Sequence, residues 1–338
     1  MTTVKTIEIN GAEGGGQILR AALAMSAALG IPFHIRNIRG KREKAGLGRQ
    51  HLSAVRAAAA ICGAEVTGAE MNSTELTFVP HDVKSGSYRF DIGTGGSTAL
   101  VLQAIVPALV RSLKTGEKAS VTVTGGTYCP FAPTFEFLKE TLEPCLRRLG
   151  YPVTFSMPRP AFFQAAGGIA RMEAAGPFEP APLEFRERGS VKRVNAVILN
   201  CHLPPEVAER EKKVLLNDFG TRLGLTEDSV TVDSNHAIPE AGNAVLIRTA
   251  FESGTSVFSE IGRPRLSAES VAKIAADEAA VFLEADVPVM ALSGGGHFVT
   301  TAPSSHTRTC AQVIQAFTGK PVHMDQQKHG WLITVPAV

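Results

Sequence analysis

Three short segments carry the residue types that handle phosphate. The first is Glu13-Gly14-Gly15-Gly16-Gln17-Ile18-Leu19-Arg20. Its consecutive glycines let the main chain approach a ligand and turn amide groups toward it, and the helix expected next offers its positive N-terminal end. Glu13 is a candidate for a divalent cation, and Arg20, one turn further on, for a phosphate. The same segment equally suits a plain strand-to-helix turn. The second, residues 36–49, holds six cations (Arg36, Arg39, Lys41, Arg42, Lys44, Arg49) against one acid, Glu43, and runs on into Gln50 and His51. A glycine-rich loop of this charge concentrates donors where phosphate or an RNA backbone would bind, Arg as a flat fork and Lys as a point charge. No aromatic residue is interleaved, so base stacking is not expected from this loop. The third is Pro303-Ser304-Ser305-His306-Thr307-Arg308-Thr309. Apolar spacing at Val313, Ile314 and Phe317 predicts a helix after His306, capped by Ser304 or Ser305. A histidine at a helix N-terminus is held neutral, with a lone pair able to attack phosphorus. It is, however, one of nine histidines, and its position alone also suits a surface or core residue.

No Gly-x-Gly-x-x-Gly, Walker loop, His-Glu-x-x-His, Ser-His-Asp order or paired-carboxylate motif stands out. The residues by themselves lead to a protein for phosphate-rich ligands with one suspicious histidine.

The elements that must hold these segments alternate along the chain. Runs rich in Val, Ile, Phe and Thr predict strands at 6–9, 33–38, 76–79, 120–124, 196–200, 244–249 and 332–335. Helical spacing is clear at Leu52, Val55, Ala59 and Cys62, ending at Gly63; further helices are expected over 17–29, from Pro204-Pro205 to Gly224, and over 268–284. Glycine clusters recur at 14–16, 93–96, 125–126, 167–168 and 294–296, too irregularly spaced to define repeats by themselves. Residues 184–265 are more charged and poorer in such clusters, which suggests a small unit set into a larger one.

The chain has 338 residues, 44% of them apolar and 20% charged, which excludes a disordered protein. No basic leader and no long apolar run is present, so a cytoplasmic protein without a membrane partner is expected. The scattered, odd number of cysteines excludes a disulfide framework and a Cys-based zinc site. Net charge is +2, yet residues 1–60 hold nine Lys/Arg against three Asp/Glu, which points to an anionic ligand at one place. Nothing in composition or motif fixes an oligomeric state.

Taken together, the stretches 11–20 (GAEGGGQILR), 38–51, 92–103 (IGTGGSTALVLQ), Gly125-Gly126-Thr127, Ala132-Pro133 and 303–306 resemble the RNA 3′-terminal phosphate cyclase family, in family order and over nearly the whole chain. The resemblance implies an α/β fold of three βαβαββ-type repeats about a pseudo-threefold axis. It places the large domain at 1–183 and 266–338 and a smaller α/β domain at 184–265. It implies a ligase reaction in which a histidine takes AMP from ATP, AMP passes to an RNA 3′-phosphate, and the neighbouring 2′-hydroxyl closes a 2′,3′-cyclic phosphate. By motif, His306 is the nucleophile, Gln103 and Pro133 line the nucleotide pocket, and Glu13 is the carboxylate associated with Mg2+ or Mn2+. Arg20, Arg39, Arg42, Gln50 and His51 match positions facing the RNA terminal phosphate. One departure stands out. Family members carry Leu-x-Asp-Gln, which touches the adenylate, shortly before the segment matching Met290-Ala291-Leu292; here FLEADVPV (282–289) runs directly into Met290 and about eleven residues are missing. Two other readings share related architectures: a non-catalytic cyclase-like RNA-binding protein of ribosome assembly, and an enolpyruvyl-transferase-like enzyme. His306 in its Pro-Ser-Ser-His setting counts against the first, and a histidine–AMP intermediate separates the cyclase from the second.

Overall fold

The computed structural model describes residues 5–185, 190–234, 237–280, 295–300, 302–327 and 330–337. The first elements are β1 (Ile7–Asn10), α1 (Gly16–Leu29), β2 (Phe33–Arg36), α2 (Arg49–Cys62), β3 (Glu65–Thr67) and β4 (Leu76–Val79). Next come β5 (Gly86–Asp91), α3 (Thr98–Arg111), β6 (Lys118–Gly125), a π-helical segment Phe137–Leu142 continuing as α4 (Glu143–Arg148), β7 (Val153–Arg159) and β8 (Gly168–Ala175). After β9 (Leu183–Phe185) the chain forms β10 (Val191–Cys201), α5 (Pro205–Leu223), β11 (Val230–Asp233), β12 (Gly242–Phe251), β13 (Thr255–Ile261) and α6 (Ala268–Ala280). The described chain ends with β14 (Gly296–Thr300), α7 (Ser305–Thr318), β15 (His323–Gln327) and β16 (Gly330–Val335).

The fold is mixed α/β. Its strands form four four-stranded sheets, ordered β1-β2-β4-β3, β5-β6-β8-β7, β15-β16-β14-β9 and β11-β10-β12-β13. The sheets holding β1, β5 and β9 share one pattern: a parallel pair, then two antiparallel pairs. Helices α1, α2, α3 and α7 pack on one another between these sheets and build one continuous core. Helix α1 buries residues around most of its circumference, from Ile18 to Ala27, as a helix clamped between neighbours must. Helix α3, TALVLQAIVPALVR, is more extreme, with twelve of its residues buried from Thr98 to Val110. Its apolar side chains show no polar face, and for that reason its helical period is hard to read in the sequence.

The sheet of β10–β13 is covered by α5 and α6 and has a core of its own, including Ile198, Leu215, Phe219, Val271 and Ala275. It meets the rest through the π-helical segment, where Arg248 Nε donates to Glu140 at 2.9 Å and the Val257 amide donates to Thr141 Oγ1 at 3.2 Å. The C-terminal part of the helix expected over 268–284 and the FLEADVPV-Met290 junction lie outside the described residues. So do Ser293 and Gly294, at the start of the last glycine cluster. Among the described residues no helix is long and apolar enough to cross a membrane, and all five cysteines are free thiols.

Candidate functional site

The glycine turn leads from β1 into α1 with Gly15 as N-cap, a residue that has no side chain to satisfy the first amides of the helix. Those donors remain available to a ligand. His51, in the first turn of α2, packs against this turn. A Cβ on Gly16 would come within 2.5 Å of His51 Nε2 and 2.8 Å of Arg20 Nη1, so any larger residue there would have to displace both side chains. Gln50, beside His51, accepts the Ser97 amide on Oε1 at 2.7 Å, and Ser97 caps α3 by accepting from the Leu100 amide. On the other side, Gln17 donates to Cys310 Sγ at 3.2 Å and Gly14 faces the Thr309 methyl, both one turn into α7. These contacts gather the N-terminal ends of α1, α2, α3 and α7 into one region. Neighbouring helix N-termini give a positive potential that favours an anion.

The basic loop closes over this region. The Arg42 guanidinium lies against Gly15, 3.3 Å from where a Cβ would stand. Arg39, at φ 55°, donates from Nη1 to Gly46 O at 2.8 Å. Burial, then the nearby Arg42 charge, lowers the Arg39 pKa from its ordinary value. Arg20 donates from Nη2 to Gln17 Oε1 at 2.8 Å. His51 Nδ1 accepts the Gly48 amide at 3.1 Å, which assigns the ring proton to Nε2, the atom facing Gly16. Burial first, then Arg39 and Arg20, push the His51 pKa down to about 4. At neutral pH His51 is therefore a hydrogen-bond donor and not a cation, which narrows the role expected for it. Gln50 is narrowed too: its carbonyl oxygen ties α2 to α3, leaving its amide group for a ligand.

His306 is exposed in the first turn of α7, whose cap Ser304 accepts the Thr307 amide on Oγ at 3.1 Å. Of the two serines expected to cap this helix, Ser304 does so. Gln103 and Pro133 stand on other parts of the chain, Gln103 on α3 and Pro133 in the loop after β6. Gln103, in the second turn of α3, borders a narrow apolar crevice walled by Leu138, Leu142 and Phe155; Pro133 stands just ahead of the helical segment that supplies Leu138 and Leu142.

Glu13 is exposed, and its Oε2 pairs with Lys41 Nζ at 2.8 Å. Among the described residues no group of three or more His, Cys, Asp and Glu assembles as a metal cage. A lone carboxylate does not make a resident metal site. It does fit one ligand of a Mg2+ or Mn2+ carried in by a triphosphate, since magnesium commonly takes one or two carboxylates plus phosphate oxygens.

The sequence reading did not find the Lys41 partner of Glu13, the Gln17–Cys310 contact or the Gln50–Ser97 link. Lys41 was visible within the basic run, but the others join positions far apart in the chain.

This fold and site define a mixed α/β protein that gathers helix ends and arginines near a helix-borne histidine, an arrangement whose positive potential suits an anion. A sequence profile for RNA 3′-terminal phosphate cyclase matches residues 11–324. The RNA 3′-terminal phosphate cyclase of Pseudomonas fluorescens is 41% identical over 326 residues, 92% of either chain. That of Koribacter versatilis is 40% identical over 317 residues, 90% of this chain and 87% of its own, and that of Ectopseudomonas mendocina is 39% identical over 322 residues, 92% of either chain. The chain belongs to the RNA 3′-terminal phosphate cyclase family, a family of enzymes.

Proposed function

We propose that this protein converts an RNA 3′-terminal phosphate to a 2′,3′-cyclic phosphodiester at the expense of ATP, through an AMP–histidine intermediate on His306. The observation that carries the proposal is the meeting of helix ends around the glycine turn, with Arg20, Arg39 and Arg42 at one side and His306 leading the fourth helix. The reading keeps three βαβαββ-type repeats about a pseudo-threefold axis as the large unit, 1–183 and 266–338. It keeps 184–265 as an insert, with α6 packed onto the insert's sheet. It also makes the protein a cytoplasmic one.

A ring nitrogen of His306 attacks the α-phosphorus of ATP; the N–P bond forms, the bond to the β-phosphate breaks, and pyrophosphate leaves. An oxygen of the RNA 3′-phosphate then displaces the histidine nitrogen, so AMP caps the RNA end. Finally the adjacent 2′-hydroxyl attacks the terminal phosphorus, loses its proton and expels AMP. Splitting the transfer in this way gives a poor phosphate leaving group a good one, and the intramolecular closure gains from proximity. Arg39, Arg42 and Arg20 orient the terminal phosphate, with His51 Nε2–H and the Gln50 amide as neutral donors. Gln103 and Pro133 border the nucleotide. Glu13 would hold a divalent cation, which supplies charge neutralisation on the triphosphate.

The test is incubation with ATP labelled in its α-phosphate. Wild type should become covalently labelled, the label acid-labile and base-stable as for a phosphoramidate. His306→Ala should carry none while melting normally, because the ring is exposed. Undiminished labelling of the alanine variant removes His306 from the mechanism.

A further inference from the structure

We infer that Phe131 is a stacking platform for an unpaired nucleobase of the RNA near its 3′ end, an inference that rests on the reading of the substrate as RNA. Among the described residues four large apolar side chains are exposed, and Phe131, at 87%, is the only aromatic one. Its backbone lies in the left-handed region at φ 61°, which a bulky residue holds only when its surroundings enforce it. They do so here. The Thr127 and Tyr128 amides donate to Ala161 O at 2.9 and 3.1 Å, Cys129 Sγ donates to Gly95 O at 3.2 Å, and the Tyr128 ring packs on Phe162 at 5.5 Å. The loop is thus fixed while its ring is held out in solvent.

One face of that ring is occupied. The Arg263 guanidinium lies over it, Cζ 4.6 Å from the centroid, and is itself anchored to Glu260. A ring backed by a guanidinium and open on its other side is the arrangement that single-strand binders offer to a base. The adenine of ATP is a poorer occupant, because small-molecule sites are concave and bury most of the ligand. The platform is also continuous with the phosphate site. Cys129 rests on Gly95, Gly96 and Ser97 rest on Gln50, and Gln50 precedes His51. The aromatic residue absent from the basic loop in sequence is therefore supplied by the loop that follows β6, linked to the basic loop through Gly95 and Gln50.

Fluorescence anisotropy with a short single-stranded RNA ending in a 3′-phosphate tests this, using Phe131→Ala, Phe131→Trp and Phe131→Gly. The glycine variant suits the left-handed backbone and removes the ring without disturbing the loop. Affinity should fall about tenfold in the glycine and alanine variants and stay within about threefold of wild type in the tryptophan variant. An oligonucleotide with abasic sites in place of its last bases should bind wild type and variants alike, and labelling by ATP should be unchanged. Three results would each overturn the inference: RNA affinity of the glycine variant within about twofold of wild type, an equal loss on the abasic oligonucleotide, or a parallel loss of ATP labelling, which would move the ring to the adenine. A wild type that ATP does not label counts against the His306 mechanism instead, and leaves the affinity comparison to decide on Phe131.

Discussion

His51 sits where positive groups converge, so its proton is a sensitive probe of the site. Protonating the ring means breaking the 3.1 Å bond from the Gly48 amide and placing a cation beside Arg39 and Arg20. The folded pKa of about 4 stands against an ordinary 6.5. This amounts to roughly 3 kcal/mol of differential stabilisation of the neutral ring. Because the folded value is the lower one, the folded state binds fewer protons in the window between them. The contribution is complete above about pH 6.5 and is lost as pH falls through about 4. The perturbation is acidification of wild type and His51→Gln. Histidine-selective NMR should show the His51 ring titrating near pH 4, with the glutamine variant identifying its resonance. Urea unfolding should show wild type losing roughly 2 kcal/mol more than the variant between pH 7 and pH 4.5. A His51 midpoint near 6.5, or an identical acid loss in both proteins, would refute the burial and crowding described for this ring.

Replacing Arg39 and Arg42 together should reduce AMP transfer to RNA at least about tenfold and spare self-adenylylation, since each charge-assisted contact contributes about 1.5–3 kcal/mol; equal loss in both half-reactions, measured by labelling and by RNA product, would move the loop to the ATP site. Glu211 of α5 is fully buried and accepts from Asn243 Nδ2, and burial raises its pKa to about 8. Its stabilising effect is present below about pH 4.5 and lost as pH rises through about 8, roughly 5 kcal/mol in all, so thermal melts of Glu211→Gln should fall less steeply over that range than those of wild type. ATP and GTP should label the protein with similar efficiency, within about tenfold, because the sequence carries no Leu-x-Asp-Gln, the segment that the family resemblance expects to touch the adenylate; strong selectivity for ATP in the same assay would require another part of the chain to read the base.

The strands over 76–79 and the helices ending at Gly63 and Gly224 were legible because period and punctuation agreed, and the described structure has them as β4, α2 and α5. Helix α3 was not, since a helix buried on every side has no polar face to set its period and Pro107 falls inside it. The glycine turn and the basic loop were readable as separate candidates. What could not be read was that Gly16 takes the His51 ring and that Gln50 reaches Ser97, contacts set by packing between sheets. Phe131 was invisible for a similar reason: its exposure comes from a backbone held by Ala161 and Gly95, residues distant in the chain.

On the proposed function, the distribution of the site over the chain follows from the shape of its ligand. A terminal phosphate presents oxygens in several directions, and one helix end supplies donors from only one. Three or four ends must meet to surround it, and each must come from a different stretch of sequence, because a helix has only one N-terminus. The contacts that bring them together use side chains with no charge to spare: Gln17 onto Cys310, Gln50 onto Ser97, His51 onto Gly48. Charged groups in those places would repel the arginines or neutralise the potential that the helix ends provide. A neutral His51 is the clearest instance, since a protonated ring would be repelled by Arg39 and Arg20. The arginines then supply charge at the rim, where Arg42 is exposed and lies against Gly15.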